Sequence, residues 1–127
     1  MRRILNYIPT VLVAGLILYL SLLRDPHFHL PPIKIAYLDK LLHTVFYFVL
    51  AAVFTCDLWR DRVRFAILIS LAIILPVIYG GIIEILQQQY FYPRTGEWLD
   101  WGADILGTLL GFALVITIIK IRKKHFS

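Results

Sequence analysis

The sequence predicts an all-α integral membrane protein: four transmembrane helices in a single domain over residues 1–127, with both termini on the cytoplasmic side. Three observations carry this. Hydrophobic residues make up 60% of the chain and mean hydropathy is +0.77, whereas a soluble domain of this size is about half apolar. The apolar residues fall in long runs, each near the roughly 20 residues a helix needs to cross a bilayer. The basic residues, finally, divide unequally between the two sets of ends these runs would have.

The first span is expected over about 4–23. Pro9 stands in its first turns, where a missing N–H matters least. Met1-Arg2-Arg3 before an apolar run resembles a signal peptide, but Leu22-Leu23-Arg24-Asp25 follows in place of a small-x-small cleavage pattern. The segment therefore reads as a retained anchor helix. Residues 24–38 read as a loop, because Pro26, Pro31 and Pro32 oppose a helix. His27 and His29 on that loop read as solvated residues, not metal ligands.

The second span is expected over 39–56, with its polar residues at its start. The third is expected over 65–88 and contains Pro76, Gly80 and Gly81; neighbouring helices satisfy the carbonyl that a membrane proline frees. The fourth is expected over 99–121. Residues 57–64 and 89–98 are the linkers. Cys56 is the only cysteine, which excludes an intramolecular disulfide and a cysteine-based metal site.

Orientation follows from Lys and Arg. Arg2, Arg3, Arg60, Arg62, Arg64, Lys120, Arg122, Lys123 and Lys124 fall on one side, and Arg24, Lys34, Lys40 and Arg94 on the other. The richer side, with both termini, is expected to be cytoplasmic. Of the acids, only Asp57 and Asp61 share that side. The net charge of +5 is thus a topology signal, and no nucleic-acid partner is expected. Tyr90, Phe91, Tyr92, Trp98 and Trp101 supply the aromatic belt of the outer interface.

With that topology, polar residues of three spans meet near the outer end. Asp39, His43 and Tyr47 form one stripe at steps of four. Gly80, Glu84 and Gln87 or Gln88 share a face of the third span. Asp100, Asp104, Gly107 and Gly111 share a face of the fourth, and Gly107-x-x-x-Gly111 admits a close neighbouring helix. An ionisable group inside a span costs roughly 3 kcal/mol on insertion scales, so Glu84 and Asp104 are the least easily dismissed. Each residue also has a plainer reading. Asp39 and Asp100 serve as helix caps, and Lys40 snorkels to the headgroups. His43 serves as an interhelical hydrogen-bonder, Tyr47 and the glycines as packing, and Glu84 with Asp104 as a structural polar network.

The candidate ligand-binding set is Asp39, Lys40, His43, Glu84, Gln87, Arg94, Asp100 and Asp104; Gly80, Gly107 and Gly111 are helix-packing residues. Lys40 and Arg94 suit a lipid phosphate, because arginine presents a fork of donors to phosphate oxygens. The carboxylates suit amines or sugar hydroxyls. Asp39, His43, Glu84 and Asp104 are also oxygen and imidazole donors of the kind divalent metals take, at a spacing that matches no named metal motif. No cofactor or metal is assigned.

At these residues the chain resembles the VanZ-like membrane proteins. The matching pieces are Asp39-Lys40-x-x-His43 with Tyr47 and Phe48, Gly80-x-x-x-Glu84-x-x-Gln87, and Pro93-Arg94 followed by Asp100-x-x-x-Asp104-x-x-Gly107-x-x-x-Gly111. They cover about residues 39–111. Many relatives carry an asparagine just before the position of Gly107, where this chain has Ile105 and Leu106. The resemblance implies a small polytopic protein of the bacterial cytoplasmic membrane, linked through the family's name to teicoplanin resistance. It implies no reaction.

The expected function is binding of a cell-envelope lipid or lipid-linked precursor headgroup in an outward-facing polar pocket, with an effect on glycopeptide susceptibility. One alternative is a membrane hydrolase or transferase acting on a lipid phosphate, with His43 as base or nucleophile oriented by Asp39 or Asp104. Against it stand the absence of a second histidine in the spans and of an arginine-rich phosphatase pattern. The other alternative is a structural or assembly protein whose polar network sets helix packing.

Overall fold

Long apolar runs become helices in a low dielectric because each backbone group must be paired within its own segment. The computed structural model describes residues 2–22, 36–90 and 98–126, with side chains over 3–21, 40–89 and 98–125. Every regular element among them is helical: α1 (Arg2–Leu5), α2 (Ile8–Leu22), α3 (Ala36–Arg60), α4 (Phe65–Tyr90) and α5 (Trp98–Phe126). Three helical stretches are long and apolar enough to cross a membrane: Lys40–Arg60, Phe65–Gln89 and Trp98–His125.

The expected first span is not one helix. It breaks at Asn6–Tyr7 into α1 and α2. Pro9 accounts for the break: it has no N–H, and its ring would strike the carbonyl four residues earlier, that of Leu5. Asn6 and Tyr7 instead donate to the carbonyls of Arg3 and Ile4 at 3.2 and 3.1 Å, three residues back. The 15 residues of α2 extend about 22 Å, less than a hydrocarbon core about 30 Å thick.

Side chains of neighbouring helices close both ends of α2. The Asp57 carboxylate of α3 accepts the Thr10 N–H at 3.2 Å and the Thr10 hydroxyl at 2.6 Å. Thr10 carries one of the first-turn donors that lack an intrahelical partner. At the other end Gln87 of α4 donates through Nε2 to the Ser21 carbonyl at 2.7 Å, one of the last-turn acceptors in the same position. Midway, the Tyr79 hydroxyl donates to the Ala14 carbonyl at 2.5 Å.

The α3 helix runs past the expected end of its span, so residues 57–60 are helical and not linker. Leu58 and Asp57 are nearly fully buried, and burial carries the helix one turn further. It then stops in a Schellman motif. Val63 N–H donates to the Leu58 carbonyl at 3.2 Å and Arg62 N–H to Trp59 at 3.0 Å, with Arg62 in the left-handed region at φ 58°. At its start α3 reaches back to Ala36, so Asp39 is a first-turn residue and not the cap. The α5 helix continues through the basic tail to Phe126, where cations favour the last carbonyls. Lys123 Nζ also lies 4.5 Å above the Trp59 ring.

The α3 and α5 helices run parallel and share the largest interface. A Cβ on Gly107 would strike the Thr44 carbonyl, and one on Gly111 the Phe48 carbonyl; the two helices meet backbone to backbone. The α2 and α4 helices run the opposite way. Phe54, Leu58, Leu68, Ala72 and Ile116 pack near the α3–α4 turn; Ile17, Tyr47, Leu50 and Ile83 pack nearer the other end. The outer surface is apolar: Leu12, Leu16, Ile74, Ile82, Leu110 and Leu114 are exposed, as lipid contact requires. Hydroxyls of Thr44, Thr55, Ser70, Thr108 and Thr117 donate to carbonyls four residues back in their own helices, which seals them without water.

Candidate functional site

Arg3 Nε lies 3.8 Å from Asp61 Oδ1, and Lys123 stacks on Trp59. The start of the chain, the α3–α4 turn and the end of α5 therefore share one end of the bundle, the turn end. At the opposite, acidic end, three helices each present ionisable side chains inward. His43 and Lys40 come from the first turns of α3, Glu84 and Gln87 from the last turns of α4, and Asp100 and Asp104 from the first turns of α5.

His43 is the hub. Its Nδ1 lies 2.8 Å from Asp104 Oδ1 and 3.9 Å from Glu84 Oε1. Its Nε2 faces Asp100 Oδ2 at 3.8 Å, and Lys40 Nζ reaches the other oxygen of that carboxylate, also at 3.8 Å. With Asp104 ionised, its carboxylate only accepts, and the short bond then carries the ring proton on Nδ1. His43, Glu84, Asp100 and Asp104 are exposed by 9, 6, 4 and 1%: the cluster is closed to bulk solvent and lipid. Lys40, with 27% of its side chain exposed, is its most open member. Burial on this scale is tolerated only when charges are paired, hydrogen-bonded or bound to a cation.

Backbone geometry makes room for the cluster. A Cβ on Gly80 would lie 2.7 Å from Asp104 Oδ2 and 3.2 Å from Tyr47. Gly80 thus lets the Asp104 carboxylate enter between α3 and α4, with Tyr47, 1% exposed, packed beneath it. Below that level, the close α3–α5 contact through Gly107 and Gly111 sets His43 and Asp104 side by side.

Of the eight candidate ligand-binding residues, five converge: Lys40, His43, Glu84, Asp100 and Asp104. Gln87 is buried at the same end, where its amide holds α2 through Ser21. Asp39 lies on α3 with its side chain outside the described set. Arg94, His27 and His29 lie outside the described residues.

Two features escape the sequence reading. Trp101 donates through Nε1 to the Val77 carbonyl at 2.9 Å, and Gly81 leaves space for the indole; in the sequence Trp101 reads only as an interface aromatic. Asp57 reads only as a charge on a linker, yet it is 1% exposed and caps α2. Its one visible signal was proximity to an apolar run. Comparison of the chain with family models, curated proteins and solved structures returns no match.

Proposed function

We propose that this chain is a VanZ-like protein of a bacterial cytoplasmic membrane whose acidic end faces outward and binds the headgroup of an envelope lipid or lipid-linked precursor. In this reading the turn end is cytoplasmic, and α1 with α2 completes a fourth crossing beside the three long helices. The observation that carries it is the graded exposure of the cluster. Lys40, the most exposed of the five, holds its ammonium 3.8 Å from Asp100, and a buried imidazole and two more carboxylates adjoin that pair. A phosphate arriving at Lys40 finds a cation, and sugar hydroxyls or amines beyond it find carboxylate acceptors. Arg94, in the segment between α4 and α5 in the sequence, would add a second phosphate donor.

The test is native mass spectrometry of protein gently extracted from its own membrane, wild type beside Lys40→Gln and Glu84→Gln. The expected outcome is a lipid adduct on wild type that both folded variants lose. Equal adducts in all three would overturn the reading.

A second reading is a structural network that only orients α3, α4 and α5. The mutual engagement of Lys40 with Asp100 and of His43 with Asp104 favours it. Under that reading the same variants lower thermal stability, and no specific lipid accompanies wild type.

A further inference from the structure

We propose that His43, Glu84 and Asp104 form a binding site for a divalent transition cation. One donor atom from each residue lies within 4.8 Å of the others, and each comes from a different helix. Ligands bonded to one ion at the usual 2.0–2.2 Å stand roughly 3–4 Å apart, according to the angle between them. His43 Nδ1 lies 2.8 Å from Asp104 Oδ1 and 3.9 Å from Glu84 Oε1, close to the spacing that one shared ion would impose.

The site is more than a group of acids. One neutral imidazole and two carboxylates match the charge of a divalent ion, which a buried site requires. Mixed nitrogen and oxygen donors suit zinc, manganese, iron or cobalt better than magnesium or calcium, which prefer oxygen alone.

A second feature points the same way. Metal-bound histidines commonly direct the other ring nitrogen at a carboxylate, which fixes the tautomer. Asp100 Oδ2 stands 3.8 Å from His43 Nε2 and is backed by Lys40. With a cation on Nδ1 the ring proton moves to Nε2, facing Asp100. Three protein ligands would also leave a coordination position for water or a further ligand. The site stands independently of lipid binding.

The experiment uses full-length protein in detergent, stripped with a chelator and titrated with cobalt(II), with the visible absorption band and retained metal as readouts. Wild type is expected to take up about one cobalt per chain and develop the band of a mixed nitrogen–oxygen site. Glu84→Gln and Asp104→Asn, each close in shape to the native residue, lose the band. Asp100→Asn keeps it with affinity lowered roughly 10–100-fold. Asp61→Asn at the turn end binds as wild type does. Size-exclusion profiles and melting curves establish that each variant is folded. Folded wild type that retains no cobalt would overturn the site, as would equal binding by Glu84→Gln and Asp104→Asn. Native mass spectrometry before and after chelation separates the two proposals: a lipid adduct without cobalt uptake sinks only the cation site, and cobalt uptake without an adduct sinks only lipid binding.

Discussion

At the scale of single residues, the chain buries ionisable groups inside the bundle and sets partners from other helices against them, Thr10 against Asp57 and His43 against Asp104. Asp57 shows the energetics most simply. Its carboxylate serves the Thr10 N–H and hydroxyl, and its pairing with Arg60 at 3.5 Å adds little, because Arg60 is 58% exposed. Removing the acceptor leaves two half-buried donors of Thr10 without their partner, where a fully buried donor would cost about 1–3 kcal/mol. Asp57→Ala is therefore expected to lower stability by about 1–3 kcal/mol and to loosen α2 first. Melting of the purified protein, with hydrogen exchange at Thr10 against Tyr47, checks this. Uniform loosening of α2 and α3 would show that Asp57 acts on the whole bundle and not on the cap.

At the scale of elements, the decisive interface is α3 against α5. Gly107 and Gly111 bring the α5 backbone onto the carbonyls of Thr44 and Phe48, and close backbone approach is what holds membrane helices together where apolar burial gives no drive. Gly102, five residues before Gly107, has nothing within 4 Å of the position its Cβ would take. The two sites predict opposite outcomes for one substitution. Gly111→Ala forces the helices apart and costs about 1–3 kcal/mol or more, whereas Gly102→Ala is neutral or gains up to about 1 kcal/mol from helix propensity. Paired melting curves decide it; equal losses at both positions would remove the interface from the argument. Because His43 and Asp104 stand on these same helices, separating the helices also separates the hub from its nearest carboxylate.

At the scale of the whole molecule, the bundle shows apolar side chains on its surface, unlike a soluble domain, and its interior sets a polar cluster at one end beside two apolar ones. The two ends differ in charge. Arg3, Asp61 and Lys123 gather at the turn end, and Lys40 with three buried acids gathers at the other. If the turn end is cytoplasmic, a fluorescent protein fused after Lys124 lights up and alkaline phosphatase fused at the same point stays inactive. The converse pair of results would invert the molecule and turn the acidic end inward. Helix α2, about 22 Å long by its 15 residues, crosses in this arrangement only together with α1 or with local thinning of the bilayer.

The sequence by itself determined the helical class and the approximate positions of the three membrane-length helices among the four spans it predicted, because long apolar runs with charged linkers leave the backbone no alternative. It also marked Lys40, His43, Glu84, Asp100 and Asp104 as candidates, since their periodicity and the cost of burying charge are local properties. Tertiary structure alone decided the rest. The extension of α3 to Arg60 and the burial of Asp57 depend on α2 offering its first turn to that carboxylate. Gln87 belongs to the end of α2 because Ser21 stands opposite it, and Trp101 meets Val77 because Gly81 admits the ring. Each of these joins residues tens of positions apart, a distance over which periodicity is silent; which two helices touch, and at which residue, is set by packing.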